Sequence, residues 1–150
     1  MDKTVLAYIE SNHQYLMLLR NKKKDDLNEG KWIGIGGHIE SGETPDDALK
    51  REIKEETNLD VTSYKLRGLI NFKNLNYEEI MYLYTVDAYK GELDFCCDEG
   101  TLKFVDIDEV PSLNLWEGDR IFLKLLNENR PYFELTLIYE NDRLIKSELK

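Results

Sequence analysis

Three glutamates, Glu52, Glu55 and Glu56, fall within a stretch from Thr44 to Thr57 that reads as a helix. At about 100° per residue, Glu55 lies about 60° to one side of Glu52 and Glu56 about 40° to the other, so three carboxylates crowd one narrow face. Like charges at this spacing destabilise an isolated helix, and something must compensate. Arg51 neutralises one of them. A hard divalent cation would neutralise the rest, because Mg²⁺ takes oxygen ligands and is bound by carboxylates together with phosphates. Lys50 and Lys54 offer ordinary salt bridges, and a solvated Glu/Lys face is the plainer reading of the helix taken alone. Upstream stand Gly34-Ile35-Gly36-Gly37 and Gly42-Glu43, where missing side chains let backbone groups approach a ligand closely. This is not a Walker loop, since no Gly-Lys-Ser/Thr follows. It is not the dinucleotide fingerprint, since position 39 is Ile, and the EF-hand spacing is absent.

The elements that must position these groups are marked in the sequence. Thr44 can cap the helix, Pro45 suits its first position, and Asp46 and Asp47 suit its positive end. Asn58 can take the left-handed conformation that stops it. Thr4–Ile9 and Gln14–Arg20 read as paired strands around Ser11-Asn12-His13, followed by a charged loop over Asn21–Gly30 and a short strand over Trp32–Ile35. Leu66–Phe72, Ile80–Tyr89, Lys103–Val105, Tyr132–Tyr139 and Arg143–Ser147 are further strands, and Gly118–Asn127 is a second helix. The expected class is α/β (α+β), two helices against a mixed sheet, without repeats or a dividing linker.

Composition narrows the function classes. A chain of 150 residues, 41% hydrophobic and 33% charged, is expected to form one domain over residues 1–150 with a core that needs no disulfide to fold. Its longest apolar runs, such as Tyr15–Leu19 and Ile80–Tyr84, are five residues, against the roughly 20 that a membrane span requires. A net charge of −10, from 20 basic and 30 acidic residues, disfavours a nucleic-acid polymer as partner. The start, Met1-Asp2-Lys3-Thr4, has no basic region leading into a long apolar stretch, and a cytoplasmic location is expected. The two cysteines, Cys96 and Cys97, are adjacent and too close for an ordinary disulfide, so both read as free, unreactive thiols. His13 reads as a turn residue, His38 as a surface residue and Lys22-Lys23-Lys24 as part of a solvated loop.

Gly37, Glu43, Arg51, Glu52, Ile53, Glu55, Glu56, Asn58 and Leu59 together resemble the signature of the Nudix hydrolases, G-x5-E-x7-R-E-U-x-E-E-x-G-U, where U is a bulky aliphatic residue. Eight of the nine positions match. The exception is Asn58 for Gly, and Asn is the next-best residue for a left-handed helix stop. The chain further resembles MutT-type nucleotide-pool sanitisers in the Gly-Lys-Trp-x-Gly-x-Gly-Gly lead-in at Gly30–Gly37, in Asp98-Glu99, in Asp106-Ile107-Asp108-Glu109-Val110-Pro111, and in Leu115-Trp116 ahead of Asp119.

That resemblance implies a Nudix fold, a mixed sheet sandwiched between helices, and cleavage of a nucleoside diphosphate linked to another group by water attack at phosphorus. It implies Mg²⁺ or Mn²⁺ held by Glu52, Glu55, Glu56, Glu99 and the Gly36 carbonyl. Arg51 would hold a box carboxylate in place and Glu43 would give structural support. Glu52, Glu55 or Glu99 would be the general base, with Glu52 favoured. The base pocket carried over by position comprises Leu27, Ile33, Phe72, Met81, Trp116, Asp119 and Phe122; taken singly, Phe72, Met81 and Phe122 also read as plain core. The family's human oxidised-purine triphosphatase has Asn where this chain has Ile33, and paired Asp where it has Gly118-Asp119, so hydrogen bonding to the purine is reduced here. The expected substrate is an oxidised purine nucleoside triphosphate such as 8-oxo-dGTP, taken by a monomer. The alternatives are a hydrolase of ADP-ribose, nucleotide sugars or dinucleoside polyphosphates, and a non-catalytic nucleotide sensor.

Overall fold

The structure is a computed structural model that describes residues 1–22 and 26–150. Of the Lys22-Lys23-Lys24 run, Lys23 and Lys24 lie outside the described residues. Lys22 donates from Nζ to the Cys97 carbonyl at 2.7 Å.

The first two strands, β1 (Asp2–Ser11) and β2 (Gln14–Leu19), form a hairpin whose turn holds Asn12 and His13 at φ 52° and 61°. Two left-handed residues in succession make the tight turn that matches strand twist. The strand expected over Trp32–Ile35 is two strands. The first, β3 (Trp32–Ile33), pairs with β2, and the second, β4 (Ile35–His38), pairs with β1. The chain crosses between them at Gly34, where a Cβ would lie 2.6 Å from the Ala7 carbonyl oxygen.

Helix α1 (Pro45–Thr57) begins as its residues predict. The Thr44 side chain accepts from the Asp47 amide at 3.1 Å, and the Asp47 carboxylate accepts from the Thr44 amide at 3.2 Å, a reciprocal capping box. It ends at Asn58, which sits at φ 67°. Its buried face, Ala48, Leu49, Ile53 and Thr57, packs with Val5, Ala7, Ile9, Leu16, Leu18 and Ile35. Each such Leu or Ile contributes about 1.5–3 kcal/mol by leaving water.

Strands β5 (Asp60–Asn74) and β6 (Tyr77–Lys90) form a long antiparallel hairpin. It extends beyond the expected strands because its outer residues are exposed and lack an apolar signal. After β7 (Cys96–Cys97), β8 (Gly100–Asp106) and one 3-10 turn (Val110–Ser112) comes helix α2 (Glu117–Asn127), then the hairpin of β9 (Phe133–Glu140) and β10 (Arg143–Leu149). The strands run in the order β10-β9-β5-β6-β1-β2-β8-β7, with β1·β6 and β5·β9 parallel.

Helix α2 buries Phe122, Leu123, Leu125 and Leu126 against the other face of the sheet, among Leu6, Tyr8, Met17, Phe133 and Leu135. Alternate residues of β1 therefore face opposite helices, which explains its unbroken apolar run. The α+β arrangement matches the expected one, a mixed sheet with a helix on either side. Among the described residues, no helix is long and apolar enough to cross a membrane.

Candidate active site

Register places the glycines beside the acidic helix. Strand β4 runs antiparallel to β1 with Gly36 opposite Leu6 and Gly37 opposite Val5. A Cβ on Gly37 would lie 2.5 Å from the Glu52 carboxyl carbon, so only glycine lets that carboxylate rest against the strand. Arg51 ties the cluster together. Its Nε donates to Glu43 Oε2 at 2.7 Å and its Nη2 to Glu43 Oε1 at 3.0 Å. Its Nη1 donates to Glu52 at 2.7 Å and to Glu55 at 3.3 Å, and its Nη2 to the His38 carbonyl at 2.9 Å. The hydrogen bond to Arg51 holds the Glu43 carboxyl below the usual carboxylate range. Glu43 in turn accepts from the Glu40 amide at 2.8 Å, closing the loop ahead of α1. Burial pushes Glu52 upward, against the opposing pull of Arg51.

Glu56 lies deeper. Its Oε2 is buried and has no hydrogen-bond partner among the described residues. Burial, a hydrogen bond to Glu99 and the charges of Glu99 and Glu52 hold this carboxyl well above its ordinary range. Two carboxyl groups that share a hydrogen bond must share a proton, because an ionised carboxylate only accepts. Glu99 also accepts from Arg20 Nη1 at 3.2 Å, and Arg20 Nε donates to Asp26 at 2.7 Å. A cleft of about 460 Å³ opens over this group, lined by Gly36, Gly37, Glu52, Glu99 and Arg20 among others. An orphaned buried carboxylate oxygen and clustered acids that raise one another's proton affinity fit a hard divalent cation. A separate trio, His13, Asp106 and Asp108, brings ligand atoms within 4.8 Å of one another. It is wholly exposed, with His13 in the β1–β2 turn as expected, and has the character of an ordinary acidic surface.

A second cavity, about 200 Å³, adjoins the cleft and shares Leu6, Asn28, Ile33, Glu79 and Met81 with it. Of the residues predicted for a base pocket, it brings together Leu27, Ile33, Phe72, Met81, Trp116 and Asp119. Phe122 is the correction. It is fully buried, with its ring centroid 6.2 Å from that of Tyr8, and is not part of the lining. Three residues along α2 advance about 4.5 Å, which carries Phe122 past the cavity and into the core.

The cavity also contains Asn28, Tyr77, Glu79 and Tyr139, which sequence reasoning missed. Asn28 Oδ1 accepts from Trp116 Nε1 at 2.8 Å, and Lys31 Nζ stands 5.2 Å over the Trp116 ring. The Tyr139 ring meets Trp116 edge-on at 5.5 Å and Phe72 at 5.1 Å. The Tyr139 hydroxyl accepts from the Gly118 amide at 2.7 Å, supplying the cap that Trp116 does not give α2. A Cβ at position 118 would lie 2.7 Å from that hydroxyl, which explains the glycine there. The only short sequence signal for Tyr139 is its inward place in the alternating burial of β9.

Asp119 is partly exposed, but into this cavity, and desolvation pushes its carboxyl up to about 7 against the pull of Lys31 and Arg120. The folded state then keeps a proton that the unfolded chain releases, so stability falls as pH rises from about 4 to about 7. The loss is at most about 4 kcal/mol, from about three pKa units at 1.36 kcal/mol each, and smaller to the extent that cavity water solvates the carboxylate. Asp119→Asn is therefore expected to raise Tm at pH 8 by several degrees, at about 2–4 °C per kcal/mol, and to leave Tm at pH 4 nearly unchanged. Thermal melts at both pH values check this; a lowered Tm at pH 8 would mean that the carboxylate is charged and paired in the fold.

A family model described as NUDIX domain matches residues 2–126. The oxidized purine nucleoside triphosphate hydrolase of Danio rerio is 29% identical over 134 residues, 88% of this chain and 85% of its own. The ADP-ribose pyrophosphatase of Methanocaldococcus jannaschii is 31% identical over 107 residues, 70% of this chain and 62% of its own. Among solved structures, the MutT protein of Bacillus halodurans superposes with a TM-score of 0.91 over 100% of this chain and 98% of its own, at 24% identity. That last likeness is one of fold.

Proposed function

The chain belongs to the NUDIX domain family, and we propose that it is a divalent-metal-dependent pyrophosphohydrolase of oxidised purine nucleoside triphosphates such as 8-oxo-dGTP, yielding the monophosphate and pyrophosphate. The observation that carries this reading is the junction of an aromatic-walled cavity holding Asp119 with a glycine- and glutamate-lined cleft. One cavity suits a stacked base with a hydrogen-bonding edge and the other a polyphosphate. The names of the Danio rerio relative and its mouse counterpart agree with it. The substrate is a free small molecule, and two free cysteines suit the reducing cytoplasm.

Glu52, Glu55, Glu56, Glu99 and the Gly36 carbonyl would hold Mg²⁺ or Mn²⁺, which supplies charge neutralisation for the phosphates and a more acidic water. Arg51 fixes Glu52 and Glu55 through one guanidinium nitrogen and anchors itself on Glu43. Glu52, desolvated against Gly37, is our choice for the group that takes the proton of the attacking water. Trp116, held by Asn28 and Tyr139, forms a wall for the base. Asp119 meets its edge.

The test separates the two cavities. A residue that touches metal or phosphate acts on every substrate alike, whereas a base-reading residue acts on the difference between substrates. Asp119→Ala leaves a donor on the bound base unpaired, costing about 1–3 kcal/mol. That is a loss of roughly 5- to 150-fold in kcat/KM for 8-oxo-dGTP, with a much smaller loss for dGTP. Equal losses for both would assign Asp119 to the fold or the phosphates, and no loss would move the base elsewhere and favour the ADP-ribose reading.

A further inference from the structure

We propose that Glu79 reads the sugar: its carboxylate accepts hydrogen bonds from the vicinal hydroxyls of a ribose, so that ribonucleotides are taken in preference to deoxyribonucleotides. The inference rests on the nucleotide reading above. In a nucleotide the sugar joins base to phosphates, so residues common to the base cavity and the phosphate cleft mark where the sugar lies. Leu6, Asn28, Ile33, Glu79 and Met81 are common to both. Three of these are apolar. Asn28 gives its amide oxygen to the Trp116 indole at 2.8 Å, which leaves Glu79 as the charged acceptor at the junction.

The carboxylate is held in place from two sides. Thr4 Oγ1, on the neighbouring strand β1, donates to Oε2 at 2.7 Å, and the Tyr77 hydroxyl donates to Oε1 at 2.7 Å. Thr4 is buried, so this anchor is a fixed one. An ionised carboxylate has about four acceptor sites on two oxygens, and these two bonds leave one on each oxygen. Two acceptors side by side match the two adjacent O–H donors of a ribose; a deoxyribose brings one fewer. A carboxylate there would repel a phosphate and has nothing to donate to one, so the sugar is the part of the ligand it suits. Glu79 is only half-buried, and water can replace a missing hydroxyl, so the preference is moderate. One hydrogen bond to a charged acceptor sets its scale at about tenfold.

The experiment is calorimetric titration of the intact protein, in the presence of Mg²⁺, with 8-oxo-GMP and 8-oxo-dGMP, beside turnover of the two triphosphates. The wild type should bind the ribonucleotide about tenfold more tightly. Glu79→Gln, which keeps the size and puts a donor where an acceptor was, should bring the two affinities to within about twofold by weakening the ribonucleotide alone. Circular dichroism and Tm of the variant establish that it is folded, and Glu79→Ser serves as a second variant. Equal affinities in the wild type, no measurable binding of either compound, or an equal fall for both in the variants would overturn the assignment. A ribose preference in binding that Glu79→Gln removes, in a protein that turns over neither triphosphate, would uphold it and would count against the proposed reaction alone.

Discussion

Glu56→Gln is expected to lower kcat by at least about 10²-fold, the scale of losing an electrostatic or acid–base group, without loss of fold. Glu56 stands one helical turn after Glu52, which lines the cleft, and its Oε2 is buried without a partner among the described residues. Burial and Glu99 favour its protonated form in the protein alone. Glutamine has the shape and neutrality of that form, so the apo fold should tolerate it, and because glutamine is neutral without taking up a proton, Tm should be unchanged or higher. What glutamine lacks is the charge that a cation would meet. The variant should therefore combine an intact Tm with a much reduced rise of Tm on adding Mg²⁺, because a ligand stabilises only the state that binds it. A near-wild-type rate would make Glu56 an ordinary acidic residue.

Removal of divalent metal is expected to have the largest effect of all. The protein carries a net charge of −10, and Glu52 and Glu99 line the cleft where a polyphosphate would lie. Without a cation, this cleft repels its proposed substrate. Neutralisation of the phosphates and activation of water are worth several kcal/mol, so excess chelator should reduce turnover by at least about 10³-fold. Added Mg²⁺ in excess of the chelator should restore it. The same chelator should not unfold the protein, since both helices pack on apolar faces away from the cleft. Undiminished turnover in chelator would remove the metal from the mechanism.

The parts of the molecule that are legible in sequence are those governed by local rules. Thr44, Pro45, Asp47 and Asn58 announce the start and stop of α1 because capping is an interaction among neighbours in sequence. The three-glutamate face follows from helical spacing, and the glycines before it from the need for close backbone approach, seen in the fit of Glu52 over Gly37. Strand β4 is not legible, because a Gly-rich segment carries no alternating pattern and its pairing depends on β1, about thirty residues away. The base cavity is half legible. Trp116 and Asp119 are there, but Asn28 and Glu79 come from an irregular loop and the start of β6, and only tertiary pairing brings them to it. Phe122 shows the opposite failure: an aromatic residue one turn from Asp119 shares its helix, yet the helix axis carries it into the core.

The most direct test of the proposed chemistry is to incubate the protein with Mg²⁺ and 8-oxo-dGTP, dGTP or ADP-ribose, identify the products and compare kcat/KM. We expect 8-oxo-dGTP to give 8-oxo-dGMP and pyrophosphate, with kcat/KM at least about tenfold above dGTP and ADP-ribose, the range that a few well-placed base contacts provide. Release of orthophosphate in place of pyrophosphate, or ADP-ribose as the best substrate of the three, would contradict it.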